Sequence, residues 1–225
     1  ANNIRKYDFV SLRKGACSNE VQKLAISNAW RSGLGVILGN GSTRLIALSC
    51  ASLASSSVAS TFLLGIKIIS IIDQFSMPPF YSQIPKLNRV MADGNQKAFR
   101  EISMVRIYTV LLILAFSAAM TGFFGESVLN SLSSNTKFPN VELWALLSIA
   151  FIAHRYGAMH LQIYSTTNDI IWHLANGLQG CISITLAIIL FPSMNIYGFA
   201  CAILIASITY AVVCRTYSNK VYQIL

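Results

Sequence analysis

Residues 104–124 have the sequence MVRIYTVLLILAFSAAMTGFF, in which the one charged side chain, Arg106, lies near the start. A helix of about 20 apolar residues can span the ~30 Å hydrocarbon core of a bilayer. Hydrophobic residues make up 54% of the 225-residue chain and charged residues 11%, whereas an average soluble domain is about 25% charged. The sequence therefore predicts an all-α, polytopic membrane protein built as a six-transmembrane-helix bundle.

Five further apolar stretches accompany this one. The predicted spans cover residues 22–48, 56–80, 104–124, 141–163, 170–191 and 196–214. Pro78-Pro79 should end the second span and Pro192 the fifth, because proline lacks the backbone N–H and clashes with the preceding turn. The small, polar stretch 52–57 is the favoured turn between the first two spans. A rival division places that turn at Gly39-Asn40-Gly41, with a span at 45–66.

This division gives five regions of the chain. They are a cytoplasmic segment at 1–21, two transmembrane helices within 22–80, a cytoplasmic loop at 81–103, four transmembrane helices within 104–214, and a cytoplasmic tail at 215–225. Within the loop, Asp93-Gly94 is typical of a turn. Asn95 is a suitable N-cap for a helix that leads into the third span.

Basic residues fix the expected orientation. The net charge is +9, and cytoplasmic loops of membrane proteins carry an excess of Lys and Arg. With the N-terminus inside, the inside segments hold ten basic residues: Arg5, Lys6, Arg13, Lys14, Lys86, Arg89, Lys97, Arg100, Arg215 and Lys220. The outside loops hold one, Lys137. Both termini of this chain are therefore predicted to be cytoplasmic.

Several function classes find no support in the motifs. The basic residues lie in short segments between apolar runs rather than on one polar face, which argues against nucleic-acid binding. The chain has no GxSxG, HExxH, GxGxxG or phosphate-loop motif, so we expect neither an enzyme nor a cofactor. None of its five cysteines forms a CxxC pair, so we expect no metal site and no disulfide.

Three short segments resemble those of a known family. Ala29-Trp30-Arg31 opens the first span, Gln83-Ile84-Pro85-Lys86-Leu87 follows the second, and Met91-Ala92-Asp93-Gly94-Asn95 precedes the third. This pattern resembles the C-terminal half of O-antigen-type oligosaccharide flippases, polysaccharide biosynthesis proteins of the multidrug/oligosaccharidyl-lipid/polysaccharide exporter superfamily. The resemblance covers nearly the whole chain in loop lengths and span order.

The resemblance implies two six-helix lobes around a central cavity, of which this chain would be the second. It implies a transporter that moves lipid-linked oligosaccharide repeat units across the bacterial inner membrane by alternating access, for lipopolysaccharide and other surface polysaccharides. Implied partners are the bilayer, a polyprenyl-diphosphate-linked oligosaccharide, an N-terminal six-helix lobe and polysaccharide assembly proteins. The chain starts at Ala1 and would lack the first lobe. Because a lone lobe supplies only one wall of the cavity, we expect it to be inactive by itself. Alternatives are a multidrug or ion-coupled exporter and a membrane-embedded biosynthetic enzyme.

Ionisable residues inside the spans are the candidate site. A charge at the bilayer centre costs roughly 2.5–3.5 kcal/mol, so such residues usually face a cavity or a partner. Arg31, Lys67 and Arg155 are candidates for a cationic cavity that binds the diphosphate of a lipid-linked sugar, because guanidinium and ammonium groups bind phosphate well. The alternatives place Arg31 at the inner headgroup level and pair Lys67 with a carboxylate of the other lobe.

Asp73 is the acidic candidate. It follows Lys67 by six residues, which is ~240° around a helix, so the two should lie on different faces. An acidic residue in a transporter span suggests an ion-coupling or proton site. The alternative is a helix cap or an ion pair near Pro78.

Overall fold

The computed structural model describes residues 19–131, 136–167 and 169–224, and this part of the chain is helical throughout, with short connections. The predicted cytoplasmic segment 1–21 lies outside it, except for its last three residues. The helices are α1 (Asn19–Leu53), α2 (Ser56–Ser76), α3 (Pro78–Tyr81), α4 (Ile84–Ala92), α5 (Gln96–Ser131), α6 (Val141–Ser165), α7 (Trp172–Met194) and α8 (Ile196–Ile224).

Six of these helices are long, and five segments of the described chain are both long and apolar enough to cross a membrane, with mean hydropathies of 1.3 to 2.1. They are Ala25–Leu53, Ser56–Ala92, Gln96–Ser131, Trp172–Met194 and Ile196–Tyr222. Helices suit a bilayer because they satisfy every backbone hydrogen bond internally. The chain is therefore an all-α polytopic membrane bundle, as the apolar runs predict.

Helix α6 is the long helix that is not among these five segments. It has 25 residues, enough for ~37 Å at ~1.5 Å per residue, but it carries Glu142, His154, Arg155 and His160. Arg155 and His160 are buried. A helix that turns its polar residues toward other helices can lie inside a membrane bundle while remaining too polar to be recognised by mean hydropathy.

The centre of the bundle is the pair α6 and α8, which pack closely along their length. Helix α7 packs against α8, and α1 packs against α7. On the other side, α2 packs against α5 and α6. Helices α1 and α2 follow each other in sequence but make few contacts, so a gap separates them.

The break between α1 and α2 falls at Ala54 and Ser55, within the segment 52–57 that the sequence favours for the turn. Ser55 has an extended backbone (φ −62°, ψ 150°), which cannot continue a helix. Helix α1 runs without interruption through residues 39–41, where the rival division placed the turn.

The segment 81–103, predicted to be a cytoplasmic loop, is largely helical. It contains the end of α3, all of α4 and the start of α5. Helix α4 is amphipathic: Leu87 is buried against α5, whereas Lys86 and Arg89 are exposed. This packing of the apolar face stabilises a helix whose other face is polar.

The turn that precedes α5 has the predicted chemistry. Gly94 adopts φ +70°, a conformation that glycine reaches without steric cost. Asn95 Oδ1 accepts a hydrogen bond from the backbone N–H of Ala98 at 3.1 Å. The prediction that Asn95 is the N-cap is thus confirmed.

The prediction that Pro192 ends the fifth span was wrong by two residues. Helix α7 continues to Met194, with Pro192 inside its last turn. A proline disturbs mainly the turn that precedes it, so the two residues after it remain helical. The chain reverses instead at Asn195, which adopts φ 52°, and asparagine tolerates positive φ better than most residues.

The predicted orientation can be tested by labelling single cysteines in a variant that lacks the five native cysteines. We expect Lys137→Cys to react with a membrane-impermeant maleimide in intact right-side-out vesicles. Lys97→Cys, in the basic segment, should react only after the membrane is opened, because Lys and Arg favour the cytoplasmic side. If Lys97→Cys reacts in intact vesicles and Lys137→Cys does not, the orientation is the opposite of the predicted one.

Candidate functional site

A cavity of about 400 Å³ lies within the bundle. Helix α1 and helix α2 border it on either side of the gap between them, and α6, α7 and α8 form the remaining wall. It extends from Ile46 and Ile203 to Tyr81 and Trp172. Tyr81 ends α3 and Trp172 begins α7, so the cavity reaches the end of the bundle that carries α3 and the α6–α7 connection, here called the basic end.

The lining residues of each helix recur with helical spacing. On α7 they are Trp172, Asn176, Gln179 and Ser183, at positions i, i+4, i+7 and i+11, which form one face of a helix. Ser42 and Thr43 on α1, Gln162 on α6 and Ser207 on α8 add further uncharged polar groups. Amides and hydroxyls therefore converge on a space enclosed by apolar helices.

Arg155 is the sequence-predicted cation that lines the cavity. It lies on α6 and forms a two-pronged ion pair with Asp73 on α2. The guanidinium Nε donates to Asp73 Oδ1 at 2.5 Å, and Nη2 donates to Oδ2. The two side chains are 11% and 8% exposed. The structure thus brings together two residues that the sequence proposed separately, and the ion pair cancels the charge of each.

A stacked pair of rings lies beside this ion pair. The rings of His154 on α6 and Tyr210 on α8 are 5.1 Å apart and nearly parallel, at 15°. Both residues line the cavity. The stacking fixes two side chains of the cavity wall at the central helix contact.

Arg31 lies elsewhere. It is half-exposed on α1 and forms an ion pair of 3.6 Å with Asp169 in the connection between α6 and α7. The Tyr164 hydroxyl donates a hydrogen bond to the same carboxylate at 2.7 Å. Arg31 is thus at the basic end and does not line the cavity.

Lys67 lies on the outward face of α2. It is exposed, as are Ile71 and Phe75 on the same side of the helix. Asp73 is buried on the opposite side, so the prediction that Lys67 and Asp73 occupy different faces is confirmed. Lys67 does not line the cavity.

Two glycines let α1 approach the cavity wall closely. A Cβ on Gly35 would lie 2.6 Å from Trp172 Cβ, and one on Gly39 would lie 3.2 Å from Asn176 Nδ2. Asn176 Nδ2 also donates a hydrogen bond to the backbone carbonyl of Gly35 at 2.8 Å. These glycines therefore allow close packing of α1 on α7. A Cβ on Gly33 would meet nothing within 4 Å.

Metal-ligating residues are dispersed in the described part of the chain. No group of three His, Cys, Asp or Glu there could hold a metal ion. Cys50, Cys181, Cys201 and Cys214 are free thiols. The chemistry available at the cavity is thus hydrogen bonding, ring stacking and the neutralised ion pair.

Comparison with protein-family models, with curated proteins and with solved structures finds no match for this chain. What the cavity does must therefore be argued from its own residues.

The sequence reasoning missed the amide side chains of Gln162, Asn176 and Gln179. It searched the spans for ionisable groups, whereas most polar lining residues are uncharged. One signal could have found Asn176 and Gln179: the polar residues of the fifth span recur every three or four residues between Trp172 and Ser183.

Proposed function

We propose that this chain is one lobe of a flippase that moves lipid-linked oligosaccharide repeat units across the bacterial inner membrane by alternating access. Its partners would be a second six-helix lobe, a polyprenyl-diphosphate-linked oligosaccharide and the polysaccharide assembly proteins that receive the product. The proposal combines the resemblance of the sequence with the geometry of the bundle.

The observation that carries the proposal is the polar cavity inside an apolar bundle. Amides and hydroxyls within a membrane bundle are costly to bury unless they are hydrogen-bonded. Ser42 and Thr43 donate to the Gly39 carbonyl, whereas the Gln179 amide has only a 3.5 Å bond to Ser207. Intramembrane polar residues that face a shared space typically mark a substrate path. A flippase needs such a space because the polar head group must cross the hydrocarbon while the lipid tail stays in the bilayer.

The packing of the helices would allow α1 and α2 to move relative to each other. Helix α1 packs on α7, whereas α2 packs on α5 and α6, and the cavity lies in the gap between α1 and α2. The cavity reaches the basic end of the bundle, which is the cytoplasmic end in the predicted orientation. In this proposal the arrangement is the state that accepts substrate from the cytoplasmic leaflet.

A multidrug exporter of the same superfamily is the competing transport function. Exporters of cationic drugs are expected to offer a carboxylate to the drug. Among the described residues that line the cavity there is no Asp or Glu, and Asp73 beside it is occupied by Arg155. The cavity therefore fits a sugar-bearing substrate better than a cationic one.

The test is reconstitution of the protein, with this chain in its native context, into liposomes that contain a polyprenyl-diphosphate-linked oligosaccharide. We expect the sugar of the inner leaflet to become accessible to a membrane-impermeant lectin, whereas in protein-free liposomes about half stays protected. Ethidium efflux by the same liposomes, without sugar exposure, would instead favour the exporter. This chain expressed alone should leave a flippase-null strain without polymer export.

A further inference from the structure

We propose that the cavity between α1 and α2 is a binding subsite for an uncharged sugar unit of the substrate, and that the diphosphate binds outside it. This inference rests on the proposed function, since it names the part of the head group that this lobe would hold. It replaces the expectation that Arg31, Lys67 and Arg155 together form a cationic phosphate site.

The charge of the cavity is the first argument. Among the described lining residues, Arg155 is the one Lys or Arg, and both prongs of its guanidinium are engaged by Asp73. Arg31 and Lys67 lie elsewhere. A diphosphate in this cavity would bury several negative charges without a free cation, which is strongly unfavourable.

The hydrogen-bonding groups are the second argument. Gln162 and Gln179 each offer an amide donor and acceptor, and Ser207 offers a hydroxyl. The hydroxyls of Ser42 and Thr43 donate to the Gly39 carbonyl at 2.9 and 3.3 Å, so they offer a ligand their acceptor lone pairs. Sugar hydroxyls are likewise donors and acceptors, so they pair with such groups without leaving a buried charge. Gln179 bonds only weakly to Ser207, at 3.5 Å, which leaves its amide available to a ligand.

Aromatic rings supply the third argument. Tyr81, Trp172 and Tyr210 are part of the lining. One face of a pyranose ring consists of C–H groups, which pack against an aromatic face while the hydroxyls at the ring edge reach polar partners. The combination of aromatic walls with amides is suited to a sugar and offers little to a phosphate.

Size sets how much of the substrate can enter. Ligand pockets typically enclose ~300–1,000 Å³, and this cavity encloses about 400 Å³. It can accept a short neutral segment rather than a whole repeat unit with its diphosphate. The rest of the head group would lie toward the second lobe.

The test compares three probes that share one dodecyl chain: dodecyl maltoside, with a neutral disaccharide, dodecyl phosphate, with an anion, and octaethylene glycol dodecyl ether, with neither. Ser42→Cys in a cysteine-free protein reports on the cavity through its labelling rate with a small thiosulfonate in lipid nanodiscs. We expect dodecyl maltoside to slow labelling at least tenfold and the other two probes to have little effect.

Variants sharpen the result. Gln162→Met and Gln179→Met keep the side-chain length but remove the amide, and each should weaken the protection by dodecyl maltoside about fivefold, the usual effect of one hydrogen bond. The matched control is Gln74→Met, because Gln74 is exposed on α2 and outside the cavity. It should leave the protection unchanged.

Two outcomes overturn the inference. If dodecyl phosphate protects as well as dodecyl maltoside or better, the site prefers an anion to a neutral sugar. If all three probes protect equally, only the alkyl chain binds. If the probes are discriminated in nanodiscs but no lipid moves in liposomes, the sugar subsite is retained and the flippase proposal is rejected. Lipid movement without discrimination would retain the flippase and remove the subsite.

Discussion

Replacing Asp73 with Ala is expected to lower the free energy of unfolding by about 3–5 kcal/mol, the usual effect of removing one member of a buried ion pair. The variant leaves the Arg155 guanidinium buried on α6 without the carboxylate that accepts both of its hydrogen bonds. Denaturation with increasing mole fractions of sodium dodecyl sulfate, followed by circular dichroism, measures the change.

The control for this prediction is Asp93→Ala, which removes a carboxylate from the exposed turn after α4 and should change the free energy by less than about 0.5 kcal/mol. The double variant Asp73→Leu/Arg155→Met should recover most of the lost stability, because apolar side chains of similar volume can replace a buried ion pair. A loss of less than about 1 kcal/mol in Asp73→Ala would show that Arg155 is not held by this contact.

The helical class of the chain could be predicted because a bilayer leaves few alternatives. In lipid, backbone hydrogen bonds can be satisfied only in a helix or a closed β-barrel, so isolated apolar stretches of about 20 residues become helices. All six predicted spans correspond to long helices. The one that is not among the five candidate spans, α6, lies at the centre of the bundle with α8. Hydropathy ranks a span by its average composition, whereas its position depends on which face carries the polar residues.

The ends of the helices were less predictable. Helix α5 extends to Gln96 and Ser131, well beyond the predicted span 104–124, because a helix need not stop at the edge of the hydrocarbon. The polarity of residues 96–103 was used to end the predicted span, but polar residues can continue a helix, and α5 includes them. The predicted end at Pro192 was wrong because a proline in the last turn of a helix removes few backbone hydrogen bonds, so α7 continues to Met194.

The candidate site could be predicted only where local spacing carries information. The opposite placement of Lys67 and Asp73 follows from six steps along one helix. The contact between Asp73 and Arg155 joins residues 82 positions apart, and no local pattern specifies which of the intramembrane charges are neighbours. Searching for charges also overlooked the amides, although Asn176 and Gln179 lie on one face of α7 with Trp172.

A close contact between the two central helices, at Gly157, gives the second large expected effect. Gly157 on α6 is buried against α8, and a Cβ there would lie 2.6 Å from Tyr210 Cδ1 and 2.8 Å from the Cα of Ala211. The Tyr210 ring could move, but the backbone at Ala211 could not move without separating the helices. Gly157→Ala should therefore lower the free energy of unfolding by about 1–3 kcal/mol, as overpacking of a core does.

The same substitution should also disturb the cavity, because the Tyr210 ring that it displaces stacks on His154 in the cavity wall. Protection of Ser42→Cys by dodecyl maltoside should weaken together with stability. The matched control is Gly33→Ala, since a Cβ at Gly33 would meet nothing within 4 Å. It should stabilise α1 by about 0.5–1 kcal/mol, because glycine is a poor helix former. If both variants shift the denaturation midpoint in the same direction and by the same amount, α6 and α8 are not in the close contact that positions the cavity wall.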